Sequence, residues 1–322
     1  MTPRFRRWRG GSRSTWESCW RASGRGRQMK RGSGLAGECV SEFIGTLILV
    51  FFGVGAVNAA VMAGAQAGLW QVAVVWGVGV ALAIYATGAV SGAHINPAIT
   101  IAMAAWRGFP KSKIAPYIAS QVAGAFAGSL MLYGLFHGLI AHFEAVHGIV
   151  RGGPGSELSA MVFGEYFPNP AMIGTNAEAY GQVSLLTAML AEGIGTAFLA
   201  CFVFALTEPR NPVTPRFMTP IFIGLAVSVI ISIIAPLTQA GLNPARDFGP
   251  RLASYLLGWG RVAIPGPRGG FFTVYVLSPV IGAVCGAGLY EAAVRRYLPA
   301  PSEAVEREVA PAGAGEVAVG SS

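Results

Sequence analysis

The sequence predicts an all-α membrane protein, with six transmembrane helices plus two re-entrant half-helices in an inverted repeat. Three observations predict it. Only 12% of the residues are charged and 53% are hydrophobic, whereas soluble domains run near 25% charged. Six apolar runs approach the ~20 residues that a helix needs to cross the hydrocarbon core. Two further apolar pieces, each opening on Asn-Pro-Ala, are too short to cross. The composition excludes an ordinary soluble enzyme, a disordered scaffold and a coiled coil. Its 44 glycines in 322 residues suit helices that approach backbone to backbone in lipid.

The spans follow in order: Cys39–Val57, Trp70–Val90, Ile114–Ile140, Gln182–Leu206, Pro220–Leu237 and Phe271–Glu291. The short pieces are Asn96–Trp106 and Asn243–Leu257, the second carrying Arg246, Asp247 and Arg251. The first has 11 residues, about 16 Å of helix at ~1.5 Å per residue, half the hydrocarbon core. Such a piece must enter and leave on one side, and its irregular approach loop must be buried or line a cavity. Arg107, Lys111, Lys113, Arg210, Arg216, Arg295 and Arg296 fall on one side, with Lys30 and Arg31. Only Arg151, Arg261 and Arg268 fall on the other. The positive-inside rule therefore puts both termini in the cytoplasm.

The net charge of +8 is a property of one tail. Residues 1–33 hold ten basic groups and one acid, and the remaining 289 hold 13 and 14. This extension lacks the apolar core of a secretory signal. Met29 opens a short basic leader, Met29-Lys30-Arg31-Gly32-Ser33, and translation is expected to start there. No nucleic-acid partner is expected. Cys19, Cys39, Cys201 and Cys285 have no metal-ligand spacing and receive no disulfide or metal role.

The chain repeats itself. Glu42-Phe43-Ile44-Gly45-Thr46 matches Glu192-Gly193-Ile194-Gly195-Thr196, and each is followed after some fifty residues by Asn-Pro-Ala, at Asn96-Pro97-Ala98 and Asn243-Pro244-Ala245. Gly124-Ala125 and Gly128 match Gly282-Ala283 and Gly286. Three spans per half make the second half inverted, which places a permeation site near the midplane.

Asn is a preferred helix N-cap, and Pro suits the first helical position. Asn96 and Asn243 are expected to begin half-helices, each cap oxygen held by its own helix and each NH₂ keeping two donors free. Inversion faces the two N-termini, each carrying about half an elementary charge. The middle of the path is then electropositive, with amide donors and no acidic residue. Arg246, in the first turn of the second half-helix, should face a cavity. The alternative is a pairing with a loop carboxylate. Asp247 and Arg251, four apart, are expected to form a structural pair. Glu42 and Glu192 are expected to bracket the re-entrant loops by accepting backbone N–H bonds, in preference to relaying protons. His94 either lines the path or makes a loop contact. His137, His142 and His147 have no metal spacing, and no cofactor is expected.

Ser91-Gly92-Ala93-His94-Ile95-Asn96-Pro97-Ala98 and Gly241-Leu242-Asn243-Pro244-Ala245-Arg246-Asp247-Phe248-Gly249-Pro250 resemble the paired signatures of the aquaporin, or major intrinsic protein, family from about Gly37 to Glu291. The resemblance implies an aquaporin-like fold and a homotetramer in the inner (plasma) membrane and its lipid, each protomer with its own pore. It also implies a ladder of backbone carbonyls from Gly92, Ala93 and His94 and from Gln239, Ala240 and Gly241. On this reading residues 34–298 are the channel domain, with repeats at about 37–140 and 182–292, between a disordered extension (1–33) and a disordered tail (299–322).

Within the family the chain looks like the glycerol facilitators. Asp247 directly follows Arg246, and Arg251, Phe136, Pro279 with Val280, and the loop segments His147–Gly152 and Tyr166–Pro170 also match that group. The implied selectivity filter departs from it. Trp76 and Arg246 match, but Ile231 stands where Gly is typical and Ala240 where Phe is typical. Trp, Ile, Ala, Arg is similar to the nodulin-like plant channels, which pass water, glycerol and metalloid hydroxides. The expectation is a passive channel for glycerol and other small uncharged solutes, with appreciable water flux and exclusion of protons and ions. A water, urea or metalloid-hydroxide channel with little glycerol flux is the nearest alternative. A coupled secondary transporter would need an ion site, an anion channel would have to desolvate its ion against carbonyls, and an enzyme would need a reactive pair.

Overall fold

The computed structural model describes residues 34–299 apart from 212 and 215. The basic extension, the expected start at Met29, Cys19 and the tail from 300 onward lie outside the described residues. Apolar side chains ring the long helices, the pattern of elements that meet lipid on one side and neighbours on the other. In chain order they are α1 (Leu35–Ala63), α2 (Leu69–Ser91), the half-helix α3 (Pro97–Trp106), α4 (Ile114–Val146), two short outer-loop helices α5 (Glu157–Ala160) and α6 (Ala177–Gln182), α7 (Leu185–Leu206), α8 (Thr219–Thr238), the half-helix α9 (Pro244–Ser254) and α10 (Ser278–Ala293). Among the described residues, six segments are long and apolar enough to cross a membrane.

Three elements differ from the sequence expectation. Helix α4 has 33 residues, about 50 Å at ~1.5 Å per residue, and outruns the ~30 Å hydrocarbon core. Its extra turns carry Glu144, which pairs with Arg151 at 2.7 Å. The second half-helix stops at Ser254 and continues as a wide π turn, Tyr255–Trp259, broken by Gly258 at φ 108°. The sixth span opens with another π turn, Thr273–Leu277, before α10. Pro279 explains it: proline has no N–H for the ladder and crowds the carbonyl four residues back. A wider turn relieves that, and the Ser278 hydroxyl donates to the Thr273 carbonyl at 2.8 Å.

Small residues set the crossings, and they do so in repeat-related pairs. A Cβ on Gly124 would lie 2.2 Å from the Phe43 carbonyl oxygen, and one on Gly282 would lie 2.1 Å from that of Gly193. Helix α4 is thereby seated on α1, and α10 on α7. Gly77 and Gly224 meet backbone to backbone where α2 crosses α8, each leaving only 2.2–2.3 Å to the other's carbonyl oxygen. The half-helices are exchanged between repeats: α3 packs on α10, and α9 packs on α4. Neither repeat completes its interior without the other.

Candidate functional site: a path between two half-helix tips

Each half-helix is built from its cap inward. Asn96 Oδ1 accepts from the Ala98 N–H at 2.8 Å, and Asn243 Oδ1 accepts from the Ala245 and Arg246 N–H groups at 3.0 and 3.3 Å. Pro97 and Pro244 occupy the first helical turn, where a missing N–H costs nothing. The amide nitrogens correct the expectation of two free donors apiece. Asn96 Nδ2 donates to the Leu242 carbonyl at 3.0 Å, and Asn243 Nδ2 donates to the Ile95 carbonyl at 2.8 Å. The inverted loops meet back to back, and their buried carbonyls take one donor from the opposite asparagine. One N–H per asparagine is left.

The approach loops hold a strained backbone. Gly92 and Gln239 end α2 and α8 in the left-handed region, at φ 85° and 64°, and Ala93, Ile95, Ala240 and Leu242 follow with φ of 48°, 44°, 62° and 56°. Such residues persist only where their surroundings over-determine them. Here two carboxylates do so. Glu42 accepts from the His94 and Ile95 N–H groups at 2.9 and 2.7 Å, and from Gln121 at 2.8 Å. Glu192 accepts from the Gly241 and Leu242 N–H groups at 2.9 and 2.7 Å, and from the Thr238 hydroxyl at 2.6 Å.

A cavity of about 140 Å³ runs between these tips. Thr207 and Thr219 line its basic end, Gly92, Ala93, His94, Asn96, Ala240, Gly241 and Asn243 its middle, and Trp76, Ile231 and Arg246 its far end. A wider vestibule of about 560 Å³ begins there, lined by Phe143, His147, Glu165 and Gln239 among others. Trp76, Ile231 and Arg246 line both spaces and so mark their boundary, whereas Ala240 lines the inner one. Gln239 straps the outer loop, donating to the Met161 carbonyl and accepting from the Tyr166 N–H. His94 lines the cavity, and its Nδ1 lies 3.3 Å from the Thr100 hydroxyl of α3.

The boundary depends on residues that the sequence reading passed over. A Cβ on Gly53 would sit 2.0 Å from the Trp76 indole, so a glycine on α1 sets the depth of that ring. Arg246 stacks its guanidinium on the same ring, 4.3 Å from the centroid. Its Nη2 forms an ion pair with Glu165, which is fully buried. Glu165 lines the outer vestibule and not the inner cavity, whose lining among the described residues has no acidic residue, and the two alternatives for Arg246 prove compatible: it lines the cavity and pairs with a loop carboxylate. Burial pushes the Glu165 carboxyl well above the usual carboxylate range, and Arg246 opposes that push. Asp247 and Arg251 are joined at 2.6 Å and also reach Glu165. Asp247 accepts its backbone N–H at 2.7 Å, and Arg251 donates to its carbonyl. The signal available in the sequence was an acid beside a glycine, Gly164-Glu165, ahead of Tyr166–Pro170. A Cβ on Gly164 would lie 2.6 Å from the Arg251 side chain.

Similarity to known proteins is consistent with this architecture. The chain matches the major intrinsic protein family over residues 29–290. It is 43% identical over 281 residues to the glycerol uptake facilitator protein of Escherichia coli K12, covering 87% of this chain and 96% of that one. The corresponding protein of Pseudomonas aeruginosa is 44% identical over 279 residues, covering 85% and 96%. A propanediol uptake facilitator of Citrobacter freundii is 41% identical over 266 residues, covering 82% and 94%. The solved aquaglyceroporin of Plasmodium falciparum superposes with a TM-score of 0.70 at 25% identity, over 82% of this chain and 99% of that one. Two capped half-helices tip to tip inside six spans, together with these matches, establish a multi-pass membrane protein of the aquaporin fold, a channel and not an enzyme: the chain belongs to the major intrinsic protein family.

Proposed function

We propose that this protein is a passive channel for glycerol and other small uncharged solutes, with water co-permeation and exclusion of protons and ions. The observation that carries the reading is the continuous lined path between two asparagine-capped tips, bounded outward by Trp76, Ile231 and Arg246. A hydroxyl entering it meets the Arg246 guanidinium and then one free N–H from each asparagine, while Trp76, Val80, Ile99, Val203, Val227 and Ile231 offer apolar walls to a carbon backbone. The helix termini facing the middle repel cations. Trp76, Ile231, Ala240 and Arg246 act as the selectivity filter, Asn96-Pro97-Ala98 and Asn243-Pro244-Ala245 as the pore centre, and the carbonyls of Gly92, Ala93, His94, Gln239, Ala240 and Gly241 as the acceptor ladder. Glu42 and Glu192 hold those loops in place.

The channel domain spans 34–298, with repeats at about 37–140 and 182–292. It works as a homotetramer in the lipid of the inner membrane, the basic side and both termini in the cytoplasm. Ile231 at the boundary also supports a second reading, a water or metalloid-hydroxide channel with little glycerol flux. Stopped-flow light scattering on proteoliposomes decides between them. Fast, non-saturating re-swelling in glycerol, indifferent to Na⁺ and pH gradients, is the expected result. Fast shrinkage in an impermeant sugar without re-swelling in glycerol would establish the second reading. Saturable, ion-dependent uptake would mean a coupled transporter.

A further inference from the structure

We propose that Glu165 is a specificity-determining positioning residue: its buried carboxylate cancels the charge of Arg246 at the pore boundary, and so lets the channel reject small anions. The inference rests on the filter reading above. An isolated guanidinium in a narrow, low-dielectric boundary would attract anions strongly, and the facing helix termini further in carry the same sign. Their combined field favours a small anion at the entrance. The structure places a counter-charge there. Arg246 Nη2 pairs with the Glu165 carboxylate, and the two side chains are 6% and 0% exposed. Arg246 gives one donor to Glu165 and one to the Phe163 carbonyl at 3.4 Å, and its remaining N–H groups are left for a hydroxyl while the pair as a whole carries no net charge.

The placement of Glu165 is built. Three charged side chains of one half-helix converge on it: Arg246 on its carboxylate, Asp247 on its N–H at 2.7 Å and Arg251 on its carbonyl. Arg251 is itself fixed by Asp247 at 2.6 Å and by donation to the Ala263 carbonyl at 2.9 Å. The Asp247–Arg251 pair therefore locates the residue that compensates Arg246. A buried charge whose partner is removed is left uncompensated, so each member of the Glu165–Arg246 pair should reveal the other when deleted. Arg246, Asp247 and Arg251 of α9 and Glu192 of α7 are the charged groups around Glu165. Compensation holds while Glu165 is ionised, and acidification should act as Glu165→Gln does.

The test uses full-length protein in proteoliposomes at mildly alkaline pH. Nitrate entry and Na⁺ entry are followed by a potential-sensitive dye, and glycerol re-swelling is recorded on the same vesicles. Glu165→Gln is expected to admit nitrate at least tenfold faster than the wild type, and Glu165→Asp, which keeps the charge, to restore exclusion. Arg246→Leu exposes the bare carboxylate and is expected to admit Na⁺, with the double variant Arg246→Leu/Glu165→Gln at least tenfold slower. Equal nitrate exclusion by the wild type and by Glu165→Gln vesicles that re-swell in glycerol would overturn the inference. Equal Na⁺ entry by Arg246→Leu and the double variant would overturn it independently, even where Glu165→Gln alone does not insert. A wild type that fails to re-swell in glycerol counts against the proposed function instead, since the ion arms do not require glycerol to pass.

Discussion

At the residue scale, the boundary is a balance of sizes. Gly53 admits the Trp76 ring, whose near atoms would lie 2.0–2.2 Å from a Cβ there. Ile231 lines the same boundary with a β-branched side chain that has one preferred rotamer in a helix. Ile231 is therefore a stiff wall. Ile231→Gly is expected to raise glycerol flux several-fold in the re-swelling assay, and an unchanged rate would remove Ile231 from the restriction. Glu192 tests the loop brackets. Glu192→Ala strands the Gly241 and Leu242 N–H groups and the Thr238 hydroxyl, at roughly 1–3 kcal/mol for each unsatisfied buried donor. A clear drop in the unfolding temperature of the detergent-solubilised protein is the expected outcome, and wild-type stability would mean that other groups hold the loop.

Elements meet at contacts that tolerate no added atom. A Cβ on Gly286 would lie 1.9 Å from the Ala197 carbonyl oxygen, in the α7–α10 crossing. Backbone cannot rotate away as a side chain can, so Gly286→Ala must push α10 away from α7, and these helices together support α3. Overpacking of this kind costs about 1–3 kcal/mol or more. Gly134→Ala on α4 has nothing within 4 Å of its Cβ and serves as the control. Gly286→Ala is expected to lower the yield of folded protein and its unfolding temperature, and Gly134→Ala to leave both alone. Identical behaviour of the two variants would show that the crossing has slack.

Across the whole molecule, an ion network ties the basic ends of both repeats. Glu208 accepts from Arg107, Arg210 and Arg295 at 3.1, 3.0 and 2.6 Å, and Glu291 pairs with Arg107 and Arg295 at 2.5 and 2.9 Å. Arg107 caps the end of α3, so the network joins that half-helix to the ends of α7 and α10. Burial alone would raise the Glu208 carboxyl, but hydrogen bonds from Arg295 and Arg210 outweigh it and hold the group below its ordinary value of 4.5. The sign follows from linkage: a lowered folded value stabilises above the unfolded one and is lost as pH falls through the folded one. Unfolding temperature should therefore fall on acidification below about 4.5, and Glu208→Gln should be lower at neutral pH with a flatter acid limb. Parallel acid limbs in the two proteins would remove Glu208 from the effect.

The half-helices were legible in the sequence because their causes are local. Asn, Pro and the short apolar run that follows act within one turn, and span length is a count of consecutive residues. The inverted repetition was legible because Glu42 and Glu192 stand at matched distances from their Asn-Pro-Ala signatures. The turns at Tyr255–Trp259 and Thr273–Leu277 were not, because an apolar run reads alike whether its ladder is regular or widened.

Sequence alone thus determined how many times the chain crosses, where it turns back halfway and which residues cap the returning pieces. Tertiary structure decided which groups meet. The asparagine amides bond across the repeats because buried carbonyls must find donors, and the nearest donors belong to the opposite half. Glu165 reaches Arg246 from 81 positions earlier, a pairing that no periodicity encodes. It arises because a buried guanidinium needs a counter-charge, and only the folded chain supplies one.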